Sequence, residues 1–170
     1  MIKKILNVSN FVIKSRNMSF TQIKRKQLLK SNIETIWKFM SSPSNLSKIT
    51  PKNMLFKITS DNSNEDMYEG MIITYKVAPI LGIPLDWITE ITHIKKNKFF
   101  VDEQKLGPYK LWHHQHKFFE TKEGIIMEDI ITYIPPLGII GIIADILFIK
   151  REVNKIFDHR KIILNDKFNK

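Results

Sequence analysis

The stretch from Phe100 to Gly138, FVDEQKLGPYKLWHHQHKFFETKEGIIMEDIITYIPPLG, decides how the chain is read. It contains three runs of alternating, β-branched and aromatic residues. The breaks between them, Gly107-Pro108 and Lys122-Glu123-Gly124, are short enough only for turns between antiparallel neighbours. Pairing Thr121 with Gly124 sets Trp112 opposite Tyr133, His114 opposite Ile131, His116 opposite Asp129 and Phe118 opposite Met127. Pairing Leu106 with Tyr109 sets Glu103 opposite Trp112 and Val101 opposite His114, and a turn at Lys96-Asn97 sets Glu90 opposite Glu103. Since side chains alternate between faces, one face is expected to carry Val101, Trp112, Phe118, Met127, Ile131 and Tyr133, with Glu90, Glu103, His114, His116 and Asp129 embedded in it. The other face, with Asp102, Gln104, Lys110, His113, Gln115 and Lys117, is polar, so the first is read as the concave, inward one.

Outward from this stretch the pattern continues. Upstream, Leu55 to Thr59, Met71 to Ala78 and Leu85 to Ile94 read as further strands, and Phe20 to Lys30 as the first strand. Between them Asn32 caps a short helix carrying Ile33, Ile36, Trp37 and Met40 at helical spacing, which Ser41-Ser42-Pro43 ends, and Ser44 to Ile49 reads as a second short helix. Downstream, Gly138 to Phe168 has no proline and steps its Ile, Leu and Phe by three and four, which predicts one helix of about 45 Å. So few helices cannot cover both faces of a seven-stranded sheet. The fold class is therefore α+β, a curved antiparallel sheet wrapped around the C-terminal helix. The first half of that helix, with Ile139, Ile140, Ile142, Ile143, Ile146, Leu147 and Ile149, is apolar around more than one stripe, so it is expected either to line a hollow or to meet a membrane or a partner.

Composition narrows the chemistry. Cysteine is absent from the 170 residues, which excludes thiol catalysis, disulfides and cysteine-ligated metals. The 27 Lys and Arg against 17 Asp and Glu favour anionic partners in general, without indicating a specific nucleic acid. The longest nearly apolar run, Leu137 to Ile149, contains Asp145 and falls short of the ~20 residues of a membrane span. Residues 1–19, MIKKILNVSNFVIKSRNMS, are basic and lack acids. They read as a tail ahead of a domain at residues 20–168, with an organelle-import leader as the alternative to a cytoplasmic location. No Ser-His-Asp order or phosphate-binding loop appears.

The pieces WKFMSSPSNLSKITP, MYEGMIITYKV, GIPLDWITEIT, FVDEQKLGPYKLWHHQHKF, MEDIITYIPPLG and IFDHRKIIL, in that order and spacing, resemble the ligand-binding SRPBCC branch of the START-like superfamily, related to polyketide cyclases and dehydrases. The resemblance covers about residues 20 to 168. It implies the helix-grip fold of the birch-pollen allergen and an internal pocket. It does not fix a reaction, because the superfamily mixes lipid carriers, hormone binders, quinone binders and cyclases.

The chemistry then rests on the embedded polar residues, which must satisfy one another or meet a ligand's polar end. One reading is an internal network pairing His116 with Asp129 and His114 with Glu103. The functional reading makes Glu90, Val101, Glu103, Trp112, His114, His116, Phe118, Met127, Asp129, Ile131 and Tyr133 the wall of a pocket for a small hydrophobic ligand, a lipid, quinone or polyketide-like molecule, with no cofactor. A cyclase or dehydratase with His114 or Glu103 as acid/base is a second reading. Metal binding by His114 and His116 with Asp129 or Glu103 is the least favoured. A basic module on RNA or an anionic membrane is a further alternative, and the chain is expected to be a monomer or a weak dimer. The apolar turns Val77 to Pro84 and Ile134 to Gly138 are candidates for a pocket mouth. Trp37, Trp87 and Trp112 read as core, and Arg160 as part of a solvated helix end.

Overall fold

The computed structural model describes residues 20–78 and 82–170. The readings of residues 1–19 as a tail or leader, and of the centre of the Val77 to Pro84 turn, lie outside the described residues. Period-two patterning yields seven strands: β1 (Thr21–Leu29), β2 (Lys57–Ile58), β3 (Ile72–Val77), β4 (Leu85–Lys95), β5 (Phe99–Leu106), β6 (Leu111–Thr121) and β7 (Gly124–Ile134). They form one antiparallel sheet in the order β1-β7-β6-β5-β4-β3-β2. Helix α1 (Ile33–Met40) begins where the Asn32 side chain accepts the Thr35 amide at 2.8 Å, and it buries Ile33, Ile36, Trp37 and Met40. The expected second helix is a 3₁₀ turn, Pro43–Lys48.

The C-terminal rod is continuous but not uniform. It runs as α2 (Gly138–Ala144), a π turn (Asp145–Ile149) and α3 (Lys150–Phe168). The π turn begins at Asp145, which is buried and accepts hydrogen bonds from the Tyr133 hydroxyl at 2.6 Å and the Thr21 hydroxyl at 2.7 Å. Gly141 is required here, since an added Cβ would stand 1.7 Å from the Pro136 carbonyl oxygen. Much of the wide apolar surface of this half faces outward. Ile139, Ile140, Ile143, Ile146 and Leu147 are exposed, while α3 turns Val153, Phe157, Arg160 and Leu164 inward.

Registers explain which side chains face in. The β6–β7 pairing is the expected one: Trp112 faces Tyr133, His114 faces Ile131, His116 faces Asp129 and Phe118 faces Met127. Glu90 faces Glu103 across β4 and β5, also as expected. Across β5 and β6, however, the pairing is one residue out, with Asp102 opposite His114, Phe100 opposite His116 and Glu103 opposite His113. The cause is the Gln104 side chain, which accepts the Tyr109 amide at 3.2 Å and donates to the Tyr109 carbonyl at 2.6 Å. These two bonds replace ladder bonds and widen the loop. A one-residue slip exchanges faces, so Phe100 and Asp102 turn to the concave side, and Val101, Glu103 and Glu90 belong to the other.

Candidate ligand-binding site

A cavity of about 120 Å³ lies between the concave face and α3. Its walls come from β3 and β4 (Ile73, Tyr75, Trp87, Ile91), from Tyr109 and Trp112, and from Ile156 and Phe157 of α3. Leu46, Thr50, Met54 and Phe56, which follow α1 in the chain, close it on a further side. The aromatic walls brace one another: Tyr75 stacks on Trp87 at 5.8 Å, and Trp112 meets Trp87 edge-on at 5.5 Å. Thr89 supplies a small polar patch, where its hydroxyl accepts the Trp87 indole N–H at 3.1 Å and lies 2.9 Å from the Tyr75 hydroxyl.

At one end the lining turns ionic, with Asp102, His114, His116 and Arg160. His114 and His116, on the same face of β6, stand with ring centroids 3.8 Å apart between two carboxylates. His114 reaches Asp102 Oδ2 through Nδ1 at 3.3 Å and Asp129 Oδ1 through Nε2 at 3.0 Å. His116 reaches Asp102 Oδ2 through Nε2 at 3.1 Å, and its Nδ1 lies 2.8 Å from Asp129 Oδ1 but off the line of a hydrogen bond. Burial works against every charge in this group, yet the opposite charges outweigh it. Asp102 and Asp129 are held well below the usual carboxylate range by the two imidazoles, and the carboxylates raise His114 above its ordinary value. Phe100 stacks on His116 at 4.1 Å and Phe157 meets His114 edge-on at 5.3 Å, so both rings are fixed in place.

Arg160 completes the end. It is 8% exposed, its guanidinium lies 4.8 Å over the Phe157 ring, and its Nε and Nη1 have no hydrogen-bond partner among the described residues. Asp129 Oδ1 is 3.8 Å from Nη1, beyond bonding distance. Burial likewise raises the Tyr75 and Tyr109 hydroxyls, keeping them neutral donors. Asp102, His114 and His116 hold ligating atoms within 4.8 Å of one another and are the group here that could hold a metal ion.

Of the residues expected to line a pocket, Trp112, His114 and His116 do so. Asp129 stands behind the two histidines, Phe118 and Met127 are packed in the core beside α1, and Ile131 and Tyr133 are packed under Ile149, Val153 and Phe157. Three of the expected wall residues, Glu90, Glu103 and Val101, are on the outer face instead. Glu90 and Glu103 are joined by Lys105 on the outer face, at 2.7 and 3.6 Å, and Glu103 bonds His113 at 2.8 Å. Val101 pairs with Gln115 on that face. The pairing of His114 with Glu103 is therefore replaced by His114 with Asp102 and Asp129. Trp87, read as core, is buried in a cluster with Met54 and Val77 and also lines the cavity, whereas Arg160, read as solvated, is buried.

No protein-family model matches the chain, and no curated protein sequence matches it. Solved structures do. Protein CV1439 from Chromobacterium violaceum is similar over 84% of this chain and 94% of its own, at 12% identity and a TM-score of 0.65. Ms6760 from Mycobacterium smegmatis is similar over 95% and 99%, at 14% identity and a TM-score of 0.63. Ara h 8.0201 is similar over 86% and 99%, at 11% identity and a TM-score of 0.55. At these identities the likeness concerns the fold: the chain has the α+β helix-grip architecture, a curved seven-stranded sheet holding a long C-terminal helix.

Proposed function

We propose that the protein binds a small, largely apolar molecule in the cavity between sheet and helix, as a carrier or a sensor. The observation that carries this reading is an aromatic-walled cavity ending at ionic groups, one of which, Arg160, has donors without a hydrogen-bond partner among the described residues. Volume limits the ligand. About 120 Å³ is below the ~300–1,000 Å³ of drug-sized sites and near the ~150 Å³ of a cavity that takes up benzene. A compact ring-sized ligand is thus favoured over a long lipid or an isoprenoid quinone, either of which would need the walls to part. Native mass spectrometry of the purified protein, with thermal shifts against a library of small apolar compounds, tests this. A bound species or a shifted melting temperature is expected, and the absence of both sinks the reading.

A second reading, contact with a membrane surface, is favoured by the exposed apolar face of Ile139, Ile140, Ile143, Ile146 and Leu147, followed by Lys150 and the exposed Arg151. Among the described residues no helix is long and apolar enough to cross a membrane. An apolar face flanked by basic residues suits the surface of an anionic bilayer. Flotation with vesicles of mixed anionic and neutral lipid should capture the protein, and I143E/I146E should release it. Failure to float removes this reading without touching the first.

A further inference from the structure

We propose that the ionic end of the cavity is a carboxylate site, where Arg160 receives the acid group of a compact monocarboxylic acid whose apolar body, about one ring in size, lies among the aromatic walls. The inference rests on the reading of the cavity as a ligand site and names the class of ligand.

Arg160 is the starting point. Arg160 is 8% exposed, and its Nε and Nη1 have given up their water without gaining hydrogen bonds among the described residues. The described residues supply no hydrogen bond to these donors. Asp129 Oδ1, 3.8 Å from Nη1, already accepts from His114 and faces His116. Asp102 Oδ2 is likewise held between the two imidazoles. Packing over Phe157 keeps the guanidinium in position against the cavity rather than letting it swing out to solvent. A planar acceptor entering from the cavity would supply what these donors lack, and carboxylates match a guanidinium in both shape and charge.

Charge sets the ligand's valence. Asp102 lines this end of the cavity, and Asp129 Oδ1 stands 3.8 Å from Arg160 Nη1. A phosphate or dicarboxylate would bring a second negative charge close to these two carboxylates, so the monoanion is preferred. The rest of the cavity is apolar and about 120 Å³, which sets the size of the body.

The test compares 3-phenylpropionate with 3-phenylpropanol, equal in length and ring and different in charge, by calorimetry on the full chain near neutral pH. The acid is expected to bind at least about tenfold more tightly, the worth of one charge-assisted hydrogen bond, and R160M is expected to abolish that advantage. In the native protein the Arg160 Nε–H resonance should move with the acid and stay still with the alcohol, which decides the matter even where R160M fails to fold. Equal binding of acid and alcohol overturns the carboxylate site and leaves the cavity reading standing, as does an acid preference that survives R160M with the resonance unmoved. Binding of neither at millimolar concentration overturns both.

Discussion

Replacing Asp129 with asparagine keeps side-chain volume and removes one of the two charges that hold the histidine pair. Asp129 is 3% exposed, with Oδ1 at 3.0 Å from His114, 2.8 Å from His116 and 3.8 Å from Arg160. Breaking a buried charge group by removing one member costs about 3–5 kcal/mol. An asparagine oxygen still accepts one bond, so D129N is expected near the lower figure, about 3 kcal/mol. Against a typical stability of about 5–15 kcal/mol the variant should still fold. The penalty depends on pH, with a sign that can be worked out. A carboxylate whose folded value is depressed contributes stability above its ordinary value of 3.8, and loses it as pH falls below. His114, whose folded value is raised, contributes stability below its ordinary value of 6.5, and loses it as pH rises through the raised one. The D129N deficit should therefore be largest at about pH 5.5 and should shrink toward about pH 9, as pH rises through the raised value of His114. Urea denaturation of both proteins at the two pH values, with unchanged slope, measures it. A deficit equal at both pH values, or below about 1 kcal/mol at the lower, would refute the charge coupling.

Three further outcomes are expected. G141A should lower stability by at least about 2 kcal/mol, because its methyl would meet the Pro136 carbonyl oxygen and the start of α2 would have to move; a thermal midpoint unchanged within error contradicts this. E103Q should leave both 3-phenylpropanol affinity and stability almost unaltered, within about 0.5 kcal/mol, since Glu103 is on the outer face in surface pairs with Lys105 and His113. A large loss of binding would put Glu103 back in the cavity. The native protein should also lose stability as pH rises above about 10, because burial holds Tyr75, Tyr109 and Tyr133 above their ordinary value and the unfolded chain releases those protons first. Stability that is flat from pH ~9 to ~11 contradicts it.

Where sequence reading succeeded, local chemistry carried the information. The β6–β7 register follows from a two-residue turn ending at Gly124, whose φ of 133° suits glycine, and it placed His114, His116 and Asp129 on one face correctly. The β5–β6 register failed because Gln104 reaches across its own loop to Tyr109, a side-chain contact that no turn rule anticipates. One residue of slip put Asp102 opposite His114, where Val101 was expected, and turned Glu103 to the outer face, which removed the acid/base pair His114 and Glu103. Arg160 was missed for a different reason: a basic residue near a helix end usually faces water. A signal was nevertheless present, since Arg160 lies three residues after Phe157 and seven after Val153, on the stripe that α3 buries. The first half of the rod is apolar around more than one stripe, as its sequence indicates, but the cavity lies against α3 and the extra apolar face is exposed.

The most direct test of the cavity is a titration of the protein, labelled at its isoleucine and methionine methyl groups, with 3-phenylpropanol followed by NMR. Ile73, Ile91, Ile156, Met54 and Met67 line the cavity, whereas Ile139, Ile143 and Ile146 are outside it on the exposed face of the rod. Saturable shifts in the first five, with the last three unmoved, are predicted; shifts confined to the exposed isoleucines, or no shifts at all, would contradict an internal binding site.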